Sequence, residues 1–358
     1  MLVLTLQIIV GASLAAVAYH YVLYPTLVML LARWRPAAPH ARHDERSTWP
    51  PATLIIAAFN EEKVIEAKLL NSLELDYPGD LEIIVVSDGS NDTTPDIVRR
   101  FSDRGVVSMH EALRRGKTAA LNRGVAAARG EILVFSDANN DFNRDALKAL
   151  IGHFAAPEVG GVCGVKHIKE ARDRESSTGD GLYWRYESAI KLAEGRVGSI
   201  TNADGEIFAM RKSLWRPIAE GLINDDAEIT FDIIGQGRRI LYEPGARSSE
   251  YASIHIEDDF WVKVRMVAGG FQTIARHWAR LLPPRDAFSL AFFSHKVLRY
   301  LVPLFLIAIL AGSLLLTLAG ERAFAGLLVL QLLFYGIAGW GWRRLDSGPL
   351  PTAIYVPF

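Results

Sequence analysis

Residues 53–62 read Thr-Leu-Ile-Ile-Ala-Ala-Phe-Asn-Glu-Glu, and this stretch decides the fold. An apolar run of strand length stops abruptly at two carboxylates, the pattern of a parallel strand buried on both faces. The pattern recurs twice. Glu82–Ser87 runs into Asp-Gly-Ser-Asn-Asp at 88–92, and Glu131–Ser136 runs into Asp-Ala-Asn-Asn-Asp at 137–141. Helical stretches are expected from Glu61 to about Leu75, over Asn91–Arg104 and over Gly116–Ala128, with a short strand at Val106–Met109. Strands alternating with helices imply right-handed crossovers, hence an α/β domain on a mostly parallel, Rossmann-like sheet. Ligands of such sheets bind beyond the carboxyl ends of the strands, where the three acidic loops would meet. The second half is less regular, with strands near 160–168, 206–210 and 239–243 and helices near 182–194, 226–236 and 257–280.

The chain has 358 residues, with 39 basic and 40 acidic side chains and a net charge of −1. That balance gives no support to nucleic-acid binding, and no nucleic acid is expected as a partner. Within residues 1–32 and 300–342 the only charged side chains are Glu321 and Arg322. Apolar runs of this length suit membrane helices. They are expected over Met1–Ala32, Leu298–Leu318 and Phe324–Trp342, the last two forming a hairpin around Gly320. Arg33, Arg35, Lys296, Arg299, Arg343 and Arg344 all flank one side. By the positive-inside rule that side is cytoplasmic, which puts 36–295 in the cytoplasm; the membrane itself is expected to be a bacterial-type plasma (inner) membrane.

The expected organisation is a membrane helix over 1–33, a linker over 34–50 and a catalytic domain over 51–284. An interfacial helix over 285–299, a hairpin over 300–342 and a tail over 343–358 follow. The stretch 285–299 reads equally well as an extension of the next helix, and the apolar end Ile354–Phe358 reads as the start of a further span. The single cysteine, Cys163, excludes a disulfide scaffold and a cysteine-based zinc site. Cys163, His167 and His255 are read as structural. Gly116-Lys-Thr118 is not the end of a phosphate-binding P-loop, because Glu111 stands where that loop needs glycine. Spaced glycines are also missing after the first strand, so no dinucleotide fingerprint is present.

These motifs, in this order, resemble the membrane-bound family 2 glycosyltransferases, the GT-A-fold group that includes cellulose, chitin and hyaluronan synthases. The resemblance covers about Pro50–Pro303. Ile55–Glu62 is similar to the family's opening strand, which implies nucleotide contacts from Ala58, Asn60 and Glu61. Val85–Thr94 is similar to its second motif, in which the position of Asp88 contacts uracil, and so a UDP donor is implied. Arg115–Asn122 resembles the segment that lines the nucleotide pocket through Lys117, and Asp137-Ala-Asn139 stands where the family has its metal-binding Asp-x-Asp. Asp137 and Asn139 are thereby implied as ligands of Mg2+ or Mn2+. Gly205–Arg211 is similar to the loop beside the acceptor, giving Gly205 and Arg211 a diphosphate or acceptor role. Asp225-Asp226 falls at the Glu-Asp motif that carries the catalytic base, and Glu250 and His295–Arg299 look like segments of a bacterial subgroup.

Sugar transfer from a nucleotide needs such residues. The leaving diphosphate requires positive charge, supplied by a divalent ion and by Lys or Arg. A sugar hydroxyl becomes a competent nucleophile when a carboxylate takes its proton, and Asp226 is the expected base, with Asp225 beside it. Attack opposite the leaving group would invert the anomeric centre. The chain departs from the processive synthases at their Gln-x-x-Arg-Trp motif, where it has Val262, Arg265 and Met266, with Trp261 nearby as a possible stacking face. Arg265 suits a diphosphate. The expected reaction is growth of a polysaccharide; the alternatives are single transfer to a lipid-linked acceptor and a non-catalytic subunit serving partner proteins in assembly.

Overall fold

The computed structural model describes residues 1–35, 49–169, 178–251 and 256–344, so most of the linker, His255 and the tail beyond Arg344 lie outside the described residues. The chain divides into two compact units. One comprises Leu31–Lys169 and Lys191–His277 and contains a single eight-stranded sheet. Its strands are β1 (Ala52–Ala58), β2 (Leu81–Asp88), β3 (Val106–Glu111), β4 (Ile132–Asp137), β5 (Asp141–Phe142), β6 (Val159–Lys169), β7 (Ile207–Arg211) and β8 (Arg239–Tyr251), in spatial order β3-β2-β1-β4-β7-β6-β8-β5.

Alternate side chains of β1 serve two cores, which is why its sequence is apolar apart from Thr53. Leu54 and Ile56 pack with Ile65 and Leu69 on one face, while Ile55 packs with Leu121 and Val125 on the other. The chain's first helix, α1 (Leu2–Arg33), belongs mostly to the other unit. The sheet is flanked by α2 (Ile65–Leu73), α3 (Thr94–Arg99), α4 (Lys117–Ala127) and α5 (Ala146–Ile151). Then come α6 (Thr178–Val197), α7 (Asp225–Gly235) and α8 (Ile256–Leu281).

Strands β1, β2, β3 and β4 are parallel, and their register holds Ala58 opposite Ser87 and Ala57 opposite Asp137. Strand β7 runs antiparallel to β4, pairing Ile207 with Ser136 and Arg211 with Ile132. That reversal brings the residues just before Ile207 to the edge where β1, β2 and β4 end. At the opposite edge Gly130 donates its N–H to Thr53 Oγ1 at 2.9 Å, and a Cβ on Gly130 would stand 2.5 Å from Thr53 N.

The second unit comprises Met1–Leu30, Glu170–Ile190 and Trp278–Phe358. Among the described residues, three helices are long and apolar enough to cross a membrane: α1, α9 (Ala287–Leu318) and Arg322–Gly341 within α10 (Arg322–Arg344). The stretch 285–299 does not form a separate helix: from Ala287 it continues into the next span through a π-helical turn over Phe293–Val297. Within this unit a Cβ on Gly312 would clash with Val10 Cγ2, so α1 and α9 approach closely there. His295, Lys296 and Arg299 all bind one carboxylate, Glu187, at 3.1, 2.6 and 2.7 Å. Burial opposes the charge on Glu187, but the Lys296, His295 and Arg299 side chains around it hold its pKa well below the carboxylate range.

Gly130→Ala is expected to lower stability by about 1–3 kcal/mol, because the methyl group displaces the first residues of β1. Urea unfolding of the purified chain measures this, and an unchanged midpoint would contradict the close packing.

Candidate active site

The loops after β1 and β2 are stitched together before any ligand arrives. Asn60 adopts a left-handed φ of 56°, a conformation asparagine tolerates better than most residues. Its N–H donates to Ser90 Oγ at 3.1 Å, and its Oδ1 accepts from the Asn91 N–H at 3.0 Å. The Glu61 N–H donates to Thr94 Oγ1 at 2.8 Å. Burial, then Asp137 and Asp92, raise the pKa of the Glu61 carboxyl. Ala58, the last residue of β1, is buried directly below this turn.

Asp88 closes β2 and is 4% exposed. Its Oδ1 accepts from Arg123 Nη2 at 2.7 Å, and its Oδ2 accepts from the backbone N–H groups of Arg115 at 2.9 Å and Gly116 at 2.6 Å. Burial opposes its ionisation, but these donors hold the carboxyl below the ordinary range. Gly116 has a φ of 96°, which only glycine adopts cheaply, and it turns the chain into α4 with Lys117 as the first helical residue.

Lys117 reaches the end of β4, where its Nζ donates to Asp137 Oδ1 at 2.7 Å and stands 4.0 Å from Asp225 Oδ2. Burial opposes both charges, yet the pKa of Lys117 is raised by Asp225 and Asp137, and that of Asp137 is lowered chiefly by Lys117. Gly205 sits against the same group: a Cβ there would lie 3.5 Å from Asp226 Cβ and 3.8 Å from Asp225 Oδ2. The structure therefore brings together Lys117, Asp137, Gly205, Asp225 and Asp226. The pKa of Asp226, in the first turn of α7, is pushed up to about 7 by burial and by the charges of Asp225 and Asp204. Asp204 in turn accepts two bonds from Lys191, at 2.8 and 2.7 Å.

The expected acceptor role of Arg211 does not survive. It lies at the far edge of the sheet, where its guanidinium donates to the carbonyls of Val159, Phe154 and Ala156 at 2.9, 2.6 and 3.0 Å. The reversal of β7 puts the two ends of the Gly205–Arg211 motif on opposite edges, so its glycine serves the site and its arginine serves the fold.

Trp261 and Arg265 lie on exposed turns of α8. The link between α8 and α7 is made instead by Asn224 and Gly269. Asn224 Nδ2 donates to the Met266 carbonyl at 3.2 Å, and a Cβ on Gly269 would meet Asn224 Oδ1 at 2.3 Å. One turn along α7, Glu228 accepts from Arg276 at 3.1 Å and pairs with His277 at 3.0 Å.

Arg123, Lys191, Asn224 and Gly269 were not singled out from the sequence. No motif position marks them; the adjacent glycines at 269 and 270 inside a helical stretch were the available signal for close helix packing. Another such residue is Glu206, 7% exposed, which accepts from Lys166 at 2.7 Å while its Oε1 has no hydrogen-bond partner. Lys166 also pairs with Glu250.

Among the described residues no three His, Cys, Asp or Glu side chains gather into a metal site. What the edge offers is the ionised, partly exposed carboxylate of Asp137 and the exposed amide of Asn139. That sparse donor set suits a small divalent cation of the Mg2+ type, held by one or two protein oxygens together with substrate phosphates.

The profile of the family described as Glycosyl transferase family 2 matches residues 53–218. This chain carries a family 2 glycosyltransferase domain. The match begins within β1 and ends after β7, so this GT2 domain includes every strand end just described except that of β8. The chain is 28% identical over 311 residues to the beta-monoglucosyldiacylglycerol synthase of Synechocystis sp., covering 82% of this chain and 62% of that protein. It is 28% identical over 234 residues to the poly-beta-1,6-N-acetyl-D-glucosamine synthase of Staphylococcus aureus, covering 63% and 55%. The chain thus spans less than two thirds of either relative. Among solved structures, a mannosyltransferase from Pyrobaculum calidifontis in complex with GDP-Man and Mn2+ superposes with a TM-score of 0.72 at 26% identity. That superposition covers 98% of this chain and 97% of the mannosyltransferase, and the fold is GT-A.

Gly269→Ala is expected to force α7 and α8 apart at Asn224 and to reduce glycosyl transfer, with a stability cost of about 1–3 kcal/mol. Transfer assays alongside thermal melts check this, and a variant with wild-type activity would show that the Asn224 contact does not set the site.

Proposed function

We propose that this chain is an inverting glycosyltransferase that moves a sugar from a nucleoside-diphosphate donor to an acceptor at the cytoplasmic face of a membrane. The observation that carries this reading is the meeting of Asp137, Lys117, Asp225 and Asp226 at one strand edge, with the pKa of Asp137 lowered and that of Asp226 pushed up to about 7. Asp137 is kept ionised by Lys117, as a ligand of Mg2+ or Mn2+ must be. Asp226 is poised near neutrality, as a general base should be. UDP is the favoured donor nucleotide because of the motif around Asp88, and the loops at Asn60 and Gly116 would hold it.

The divalent ion, when bound, would offset charge on the leaving diphosphate. Lys117 adds fixed positive charge at the same place. Asp226 would accept the proton of the acceptor hydroxyl as it attacks, with Lys191 on Asp204 holding the floor of the site. The carboxylate arrangement favours catalysis over a purely scaffolding role.

For the acceptor, α8 presents Phe260, Trp261, Val264, Met266 and Phe271 to the outside on the helix that docks against the base-bearing α7. That apolar surface, the absence of the processive Gln and Trp, and the likeness to a glucosyldiacylglycerol synthase together favour one sugar transferred to a lipid or lipid-linked acceptor. The second reading, extension of a polysaccharide, is supported by the poly-N-acetylglucosamine synthase relative. Product size decides between them.

Asp226→Asn is expected to lower kcat by about 10²–10⁴-fold, the usual worth of a general base. Wild-type kcat/KM should rise with pH through about 7 as Asp226 loses its proton. The effect on stability has the opposite sign. A carboxyl whose folded pKa lies above its unfolded value destabilises the fold progressively as pH rises between the two, and fully above the higher one. The asparagine variant should therefore melt at a higher temperature than wild type at pH 8 and gain less at pH 4. Transfer of radiolabelled sugar and paired melts measure both; an active Asp226→Asn enzyme with an unchanged pH profile would remove Asp226 from the mechanism.

A further inference from the structure

Helix α2 carries a lysine where its packing calls for an apolar side chain. Ile65, Lys68, Leu69 and Ser72 form its buried face, and Lys68 is 1% exposed. Taking an ammonium out of water costs several kcal/mol. Among the described residues no carboxylate stands within ion-pair distance of Lys68 to offset that cost. Its Nζ donates instead to Asn140 Oδ1 at 2.7 Å and lies 4.1 Å from the centre of the Phe142 ring. Burial draws its pKa down to about 7 against the opposing charges of Asp141, Asp137 and Glu206.

Asn140 is itself 2% exposed, and both ends of its amide are hydrogen-bonded. Its Oδ1 also accepts from Ser136 Oγ at 2.8 Å, and its Nδ2 donates to the Glu206 carbonyl at 3.0 Å. One side chain thus ties α2 to the turn that follows β4 and to the residue that follows Gly205. These are the two backbone segments that present Asp137, Asn139 and Gly205 to the site.

We propose that Lys68 and Asn140 form a buried strut that positions the Asp137–Asn139 turn and Gly205 to hold a nucleoside diphosphate with its divalent ion. The proposal rests on the function argued above. Neither residue touches substrate; both are positioning residues. A methionine at 68 would fill the same space on α2 without the donor, and an apolar core would be served as well or better by it. The ammonium is kept because the turn above it needs a fixed anchor.

The test uses the full chain in detergent, with no acceptor present. Binding of Mn2+ is followed by electron paramagnetic resonance in the presence of UDP or GDP, and donor KM and kcat are measured separately. Lys68→Met is expected to fold and to bind the Mn2+–nucleotide about ten-fold more weakly, the scale seen when partners behind metal ligands are removed. Donor KM should rise by a similar factor, with a smaller change in kcat. Asn140→Ala should do the same, and the double variant should lose no more than the weaker single one, because the two residues act as one unit. If Lys68→Met does not fold, Asn140→Ala, which leaves α2 intact, carries the test alone. A folded variant that binds Mn2+ and nucleotide like wild type, or losses that simply add in the double variant, would overturn the strut. Failure of the wild-type chain to bind any Mn2+–nucleotide would overturn the proposed transferase function instead.

Discussion

The site depends on a single ammonium. Lys117 opens α4 immediately after the left-handed glycine at 116, and its Nζ bonds Asp137 while standing at the limit of ion-pair distance from Asp225. Without that cation, carboxylates from the end of β4 and the start of α7 would repel one another at short range. With it, they occupy the same strand edge. The parallel register of β1, β2 and β4 delivers the loops, and the reversed β7 delivers Gly205. Lys117 makes the combination electrostatically tolerable.

Its uneven reach also separates the carboxylates chemically. Asp137, bonded directly, stays ionised, while Asp226, whose main neighbours are Asp225 and Asp204, is pushed up to about 7. Pairs of titratable groups driven apart in this way divide the labour of charge stabilisation and proton transfer.

Much of this was legible in the sequence where period and punctuation carry the signal. The apolar runs ending at Ala58, Asp88 and Asp137 announced buried parallel strands, and their acidic ends announced the edge that holds the site. What could not be read was strand direction. Nothing in Ile207–Arg211 says that it runs against β4, so Gly205 and Arg211 were assigned together although the sheet separates them. Contacts made by side chains distant in sequence were equally hidden: Asn140 looks like a polar loop residue until Lys68 and Ser136 are seen on its two sides. Lys68 did leave a trace, as the one charge on the buried face of α2. The sequence leaves the extent of helix 287–318 open between two readings for another reason. Basic residues at 295, 296 and 299 mark a helix end by composition, but here they are absorbed by Glu187 while the backbone continues.

The central claim is direct displacement: a single carboxylate, Asp226, deprotonates the acceptor while the diphosphate leaves from the opposite face. Stereochemistry reports on that step without reference to any mutation. The purified full chain is incubated with Mn2+, an α-linked nucleoside-diphosphate sugar and a lipid or glycan acceptor, and the anomeric coupling of the first product is read by proton nuclear magnetic resonance. A β-linked product is predicted; an α-linked product would contradict the mechanism.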